Sequence, residues 1–384
     1  MRIVILVECL AQAFTSGMPY RGMLRELMKL RSADSFSLVV LRNSANNPLI
    51  TEIVAGNENC ELIELPVSRR ASKLASLFGV NRLHLPAGAD CYVTPDLEYF
   101  GRRCQPQIAH IADLSSTRNP RQATLNWIGR RLKEQLLQRH AKGNSLITTI
   151  SEFSKQDIID YDARFSGRVV VSYNGIDDFW FAPTCDDSKD LLDQYGVTEP
   201  YFVWWGFVSP RKNVEGLIKG YGLARKQLRG ELPGLLIVGE MSKNADRMRQ
   251  MLDEDMLTDS IRLMPSQGIR SLQSLVGRSE GLLFPSFYEG FGVPVVEAMA
   301  TGRPVMASDV SSLREVSGGL GFYCDPSAPE SIANAIIQMH ETRASRDAAA
   351  FRQWASRFTH RANAERYSQI LDAHVGSKTI ASLN

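Results

Sequence analysis

No apolar stretch in the 384 residues approaches the ~20 that a membrane-spanning helix needs. No segment is dominated by Pro, Gly or Ser, so the composition excludes fibrous and disordered classes. One-sided charge is missing as well. The 44 Lys and Arg against 42 Asp and Glu leave a formal net charge of +2, far from the strongly basic face of a non-specific nucleic-acid binder. Any anionic ligand must therefore be met by local groups. Paired cysteines are absent: Cys9, Cys60, Cys91, Cys104, Cys185 and Cys324 stand singly, with neither a CxxC pair nor a Cys/His cluster of metal-ligand spacing. Reduced thiols in a cytoplasmic protein are expected. The start superficially mimics a signal peptide, but Glu8 ends the apolar run 3–7 after five residues, and the run reads better as a buried parallel strand.

What is present is length and alternation. A single core stops growing at roughly 250–300 residues, so two domains are expected, 1–180 and 181–355. A final helix at 356–384 is expected to pack back toward the first domain and to fray at its end. Short apolar runs at 3–7, 37–41, 91–94, 107–111, 146–150 and 169–173 alternate with helical patterns. A second series follows at 201–205, 235–238, 261–264, 281–284 and 304–307. This alternation predicts an α/β class with two doubly wound, Rossmann-like parallel sheets. Asn174-Gly175-Ile176-Asp177 and the polar stretch 183–188 place the junction near 175–190. Ligands of such sheets bind beyond the carboxyl ends of the strands, and two of them facing one another would enclose a cleft. The segment 122–142 carries Arg130, Arg131, Lys133, Arg139 and Lys142 beside Leu125, Ile128, Leu132 and Leu136 at helical spacing. It reads either as a surface helix whose apolar stripe faces the core or as a basic amphipathic helix on an anionic membrane. Residues 352–373 read as one further helix anchored by Trp354, Phe358, Tyr367, Ile370 and Leu371.

The strongest chemical signal runs from Phe284 to Gly302: a strand, a turn containing Glu289-Gly290-Phe291-Gly292-Val293, then Pro294 at the expected first helical position. Gly290 and Gly292 remove Cβ atoms where backbone N–H groups could approach a phosphate. Glu289 on the loop and Glu297 about one turn inside the helix are not helix-face neighbours, and suit two parts of one ligand. Ionised carboxylates grip vicinal hydroxyls because their oxygens accept several hydrogen bonds. The structural alternative is that Glu289 caps the turn and Glu297 complements the helix dipole.

This glutamate pair eight residues apart, continuing through Gly302-Arg303-Pro304-Val305, resembles the signature of retaining glycosyltransferase family 4 of the GT-B fold class. The resemblance covers nearly the whole chain. Gly206-Phe207-Val208-Ser209-Pro210-Arg211-Lys212-Asn213 looks like the family's glycine followed by an Arg-Lys-Asn element that reaches the donor diphosphate. Phe207 stands where some relatives carry Arg, which leaves the charge to Arg211 and Lys212. Ser16-Gly17-Met18 resembles the N-domain glycine loop near the diphosphate and acceptor. Family members often end a strand with His-Asp-Leu, whereas this chain reads His110-Ile111-Ala112-Asp113-Leu114. Ala112 then holds the histidine position, and His110 shares its strand face one step back. His110 is a cleft residue or a satisfied structural histidine.

The resemblance implies two Rossmann-like domains facing across a cleft and transfer of a hexose from a nucleotide diphosphate to a glycan or lipid-linked glycan acceptor. Mannose from GDP-mannose, in bacterial surface-polysaccharide or lipopolysaccharide assembly, is the first expectation; UDP- and dTDP-sugars are the alternative. It implies catalytic roles for Glu289, Arg211, Lys212 and His110. Donor contacts would come from Gly17, Gly206, Gly290, Phe291, Gly292, Val293 and Glu297, and acceptor-side contacts from Ser16, Met18 and Asp113. No cofactor and no metal are expected, since no Asp-x-Asp pair is placed like a metal–diphosphate site and cations can stabilise the leaving group. A cytoplasmic location, with peripheral membrane contact and no nucleic acid, completes the expectation. A nicotinamide-dependent oxidoreductase would share the architecture but needs a G-x-G-x-x-G turn, and Val7-Glu8-Cys9-Leu10-Ala11-Gln12 offers none. A non-catalytic carbohydrate-binding relative is the third reading.

Overall fold

The computed structural model describes residues 1–11, 17–68, 71, 85–97, 106–118, 127–183, 188–240, 245–343 and 347–376. The chain divides into two compact units, Met1–Asp177 with Phe358–Asn384, and Asp178–Arg357. The junction expected at 180/181 thus falls at Asp177/Asp178, and the return at Arg357/Phe358.

The first unit holds seven parallel strands: β1 (Arg2–Leu6), β2 (Ser35–Leu41), β3 (Cys60–Leu65), β4 (Cys91–Thr94), β5 (Gln107–His110), β6 (Leu146–Thr149) and β7 (Val169–Val171), in the order β3-β2-β1-β4-β5-β6-β7. Strands covered on both faces read as continuous apolar runs, and so six of the seven announce themselves. The seventh, β3, is the edge strand. Its sequence Cys-Glu-Leu-Ile-Glu-Leu keeps only Leu65 fully buried, so the apolar signal is diluted by glutamates facing solvent.

The second unit holds β8 (Tyr201–Phe207), β9 (Gly234–Glu240), β10 (Ile261–Met264), β11 (Leu282–Phe284), β12 (Val305–Ser308) and β13 (Phe322–Cys324), all parallel, in the order β10-β9-β8-β11-β12-β13. Tyr201, Phe202, Val203, Trp204 and Phe284 are fully buried at its centre. The unexpected strand is again an edge, β13, only three residues long.

Two helical expectations are corrected. The single helix expected at 352–373 is two, Ala348–Ala355 and His360–Val375. Thr359 is extended and its hydroxyl accepts the Ala362 N–H at 3.1 Å, a local cap that competes with continued helix. The second piece sets Ala364, Tyr367, Ile370 and Leu371 into the core of the first unit with Leu24, Leu27 and Met28. The helix Trp127–Lys142 buries Leu137, His140 and Ala141, whereas Ile128 is 46% exposed; the stripe facing the core is thus rotated from the one expected. Leu125, Arg121 and the rest of 119–126 lie outside the described residues. Among the described residues no helix is long and apolar enough to cross a membrane.

Candidate functional site

At the carboxyl end of β8 the chain passes Gly206, whose φ of 144° favours glycine, and enters the turn Pro210–Lys212. That turn is stitched to the loop after β11. The Phe287 N–H donates to the Arg211 carbonyl at 2.8 Å, Arg211 Nη1 donates to the Tyr288 carbonyl at 2.6 Å, and Asn213 Nδ2 donates to the carbonyls of Pro285 (3.0 Å) and Pro326 (2.7 Å). Asn213 sits in the left-handed region at φ 54°, a conformation Asn tolerates better than most side chains. The consequence is an ion triad around the buried Glu289 carboxylate. Glu289 Oε2 lies 2.8 Å from Arg211 Nη1 and Glu289 Oε1 lies 2.7 Å from Lys212 Nζ, with the Glu289 side chain only 8% exposed. Burial by itself pushes the Glu289 carboxyl up, but Lys212 and Arg211 together hold it below its ordinary range. Burial pulls the Lys212 ammonium down, and the attraction of Glu289 offsets this only in part. Lys212 also stands 4.5 Å over the Phe284 ring.

The loop then turns into the helix Val293–Ala300 through Gly292, in the left-handed region at φ 96°, where a Cβ would lie 2.5 Å from a Leu313 methyl. Val293 is the first helical residue and Pro294 the second, one position later than expected. Ser312 Oγ donates to the carbonyls of Glu289 (2.8 Å) and Phe291 (3.0 Å), and Ser311 Oγ accepts the Glu289 N–H at 3.0 Å. These serines hold the loop's shape. The helix is apolar on every side except for Glu297. A lone carboxylate in such a helix costs stability unless it has partners; Trp205 Nε1 donates to its Oε2 at 3.3 Å. The second unit therefore brings together Arg211, Lys212, Glu289, Gly290, Phe291, Gly292, Val293 and Glu297, with Gly206 at the start of the same turn system.

The remaining expected residues belong to the first unit. His110 ends β5, with Nδ1 3.1 Å from Thr148 Oγ1 and its ring edge-on to Tyr20 at 5.5 Å. Burial pulls its pKa down to about 4, the Asp113 carboxylate pulling the other way, so the ring is neutral at pH 7. These contacts hold the ring between β5, β6 and the helix Gly17–Leu30. Asp113 Oδ1 accepts the Ser115 N–H (2.8 Å) and hydroxyl (2.6 Å), closing a turn just ahead of the short helix Ser115–Arg118. Gly17 begins the helix Gly17–Leu30 and Met18 follows it, while Ser16 lies outside the described residues.

Sequence reasoning missed Trp205, Trp180, Asn213, Ser311 and Ser312. Only Asn213 had a usable signal, its place in the Arg-Lys-Asn run; the others matter through neighbours remote in sequence. Among the described residues no group of three or more His, Cys, Asp or Glu could hold a metal ion.

Residues 193–353 match the family model of glycosyl transferases group 1. Among curated proteins, the chain is similar to the O-antigen chain mannosyltransferase B of Escherichia coli, 30% identical over 54% of this chain and 55% of that one. It is also similar to the O-antigen chain mannosyltransferase RfbU of Salmonella typhimurium, 28% identical over 54% of each. The match spans about half the length of these relatives. Among solved structures, HepE of Anabaena in complex with UDP and glucose superposes with a TM-score of 0.70 at 19% identity, over 97% of this chain and 100% of that one. That likeness shows the fold, two Rossmann-like parallel-sheet domains of the GT-B type. The segment that matches the glycosyl transferases group 1 model, 193–353, contains the ion triad and both glutamates.

Proposed function

We propose that the protein is a retaining, metal-independent glycosyltransferase that moves a hexose, mannose from GDP-mannose first among candidates, to a glycan or lipid-linked glycan. The observation that carries this reading is the Arg211–Glu289–Lys212 triad, built around a buried carboxylate. Two cations around one carboxylate leave a net positive charge beside a glycine-rich turn and a helix N-terminus, an environment suited to a diphosphate. A buried ion cluster is weak evidence for stability in its own right, which favours a functional reason for it. The names of the O-antigen mannosyltransferase relatives support the sugar and the acceptor class.

In this reading Glu297 accepts from the nucleotide ribose hydroxyls. Glu289, held ionised by its two cations, accepts from the sugar hydroxyls. Arg211 and Lys212 stabilise the charge that develops on the diphosphate as the sugar bond breaks. The leaving phosphate takes the acceptor's proton on the same face, so no enzymic nucleophile is required and the anomeric configuration is retained. Assay with GDP-mannose, UDP-glucose and dTDP-glucose, with the product anomer read by NMR, tests this. Transfer with inversion, or no transfer and no hydrolysis of any donor, overturns it.

We further propose loose attachment to the cytoplasmic face of the membrane through the start of the helix Trp127–Lys142, where Trp127 is 69% exposed beside Arg130 and Arg131. Lys133 takes no part, because its Nζ donates to the Asp113 carbonyl and to Ser116 Oγ, both at 3.0 Å. Sedimentation with anionic liposomes at low and high salt, against a variant with Arg130→Gln and Arg131→Gln, checks this. Binding that is salt-sensitive and lost in the variant is expected.

A further inference from the structure

The carboxylate of Glu297 is reached by an aromatic stack that no resemblance assigned. Trp205, 5% exposed on β8, donates its indole N–H to Glu297 Oε2 at 3.3 Å. Trp180, 1% exposed, stacks on Trp205 with ring centroids 6.2 Å apart and planes 17° from parallel. Phe179 stacks in turn on Trp180 at 5.4 Å, and the Arg270 guanidinium lies 4.6 Å over Phe179. Gln273 Nε2 donates to the Phe179 and Ala182 carbonyls and holds that segment in place. The indole that touches Glu297 is thus clamped in a stack and cannot follow the carboxylate if it turns.

We infer that Trp205 is a positioning residue for Glu297: its immobile indole N–H fixes the rotation of the carboxylate that receives the nucleotide ribose. The inference rests on the reading of Glu297 given above. The terminal torsion of a glutamate is broad and roughly two-fold, so without a fixed donor the carboxylate plane is poorly defined. An indole N–H only donates, so it always requires an oxygen on its side. With Oε2 so held, Oε1 and the remaining lone pairs of Oε2 are oriented to accept from neighbouring ribose hydroxyls. In a Glu297→Gln variant the same constraint becomes harmful. Trp205 keeps the amide oxygen to itself and turns the NH2 group, a donor with no acceptor capacity, toward the ribose.

The test is a double-substitution cycle read by calorimetric titration with GDP and UDP, the tighter ligand being used throughout, and with its 2′,3′-dideoxy analogue as control. Trp205→Phe in the wild-type background should raise Kd about tenfold, in line with one hydrogen bond to a charged group. It should leave kcat at saturating donor within twofold. Glu297→Gln should raise Kd further, and adding Trp205→Phe to Glu297→Gln should lower Kd again by severalfold, because the freed amide can present its oxygen to the ribose. The dideoxy analogue should show no difference between wild type and Trp205→Phe. Thermal unfolding and near-ultraviolet circular dichroism establish that each variant is folded; should Trp205→Phe not fold, Trp205→Tyr, which retains an aromatic ring at the site but moves its donor, replaces it. Additive losses in the two backgrounds, or equal losses with the dideoxy analogue, overturn the inference and leave the nucleotide reading standing. Failure of wild type to bind either nucleotide overturns that reading, and this inference with it.

Discussion

The carboxyl edges of the two sheets are built from the same parallel architecture and carry opposite kinds of polar group. In the first unit the described edge is largely neutral or internally satisfied: His110 meets Thr148, the Tyr20 hydroxyl donates to Tyr367 at 3.0 Å, and Glu8 accepts from the Leu41 N–H and the Ser44 hydroxyl. In the second, Glu289 is clasped by two cations and Glu297 lies close enough to act on Lys212 electrostatically. The difference teaches where a highly charged ligand can be held. Moving a diphosphate out of water requires fixed charge of opposite sign close by, and among the described residues it is the second edge that supplies Arg211 and Lys212 together.

The severest way to break this contrast is to strand one charge. Lys212→Met should destabilise the second unit by about 3–5 kcal/mol, since removal of one partner leaves the buried Glu289 carboxylate undercompensated. Urea unfolding measures this. Adding Glu289→Gln should return part of the stability while transfer stays absent, which separates folding from function.

Next in size, Glu289→Gln alone should lower kcat by roughly a hundredfold, about 2.7 kcal/mol, with KM changed only severalfold, because the lost acceptor acts where the transition state departs from the ground state. A change confined to KM would move Glu289 out of the reacting centre.

The two edges should also part company with pH. His110 has a folded pKa of about 4 against an ordinary value of 6.5, so the unfolded chain binds the extra proton first and stability falls as pH drops from 6.5 toward 4. The loss between pH 7 and pH 5 should be about 1–2 kcal/mol, and His110→Asn should abolish that part of the slope. Glu289 acts in a lower window. Its folded pKa is depressed, so its contribution is present above the ordinary value of 4.5 and is lost as pH falls through the lowered folded value. Denaturant titrations across pH 3–7 resolve the two; an unaltered slope in His110→Asn would show that His110 is not the group concerned.

The smallest expected effect is that of chelation. If Arg211 and Lys212 supply the leaving-group stabilisation, EDTA should change the transfer rate by less than about twofold. Complete loss restored by magnesium or manganese would shift the role of the second edge from side-chain cations to a metal.

Eleven of the thirteen strands were legible because strands covered on both faces need apolar residues at nearly every position. Of the four edge strands, β7 and β10 kept enough apolar residues to be read, whereas β3 with its glutamates and three-residue β13 passed unseen. The loop from Glu289 to Val293 was legible too, since Gly292 meets a backbone requirement that its own φ imposes. Contacts across long sequence separations were not. Arg211 and Lys212 read as diphosphate ligands, yet nothing local says that both clasp Glu289, nor that Trp205 would meet a carboxylate 92 residues away. The packed state of His110 depends on Tyr20 and Thr148, which lie on other elements.

By itself, then, the sequence determined the parallel-sheet class, a junction between two units within 175–190, and the glycine-bearing turn with its two glutamates. Each is a demand that a few consecutive residues meet through burial or allowed dihedrals. Tertiary structure alone decided which charges pair with one another, where the last helix breaks, and which indole meets Glu297. Those outcomes arise from desolvation and from partners brought within about 3–4 Å by folding, and no local pattern of residues encodes that proximity.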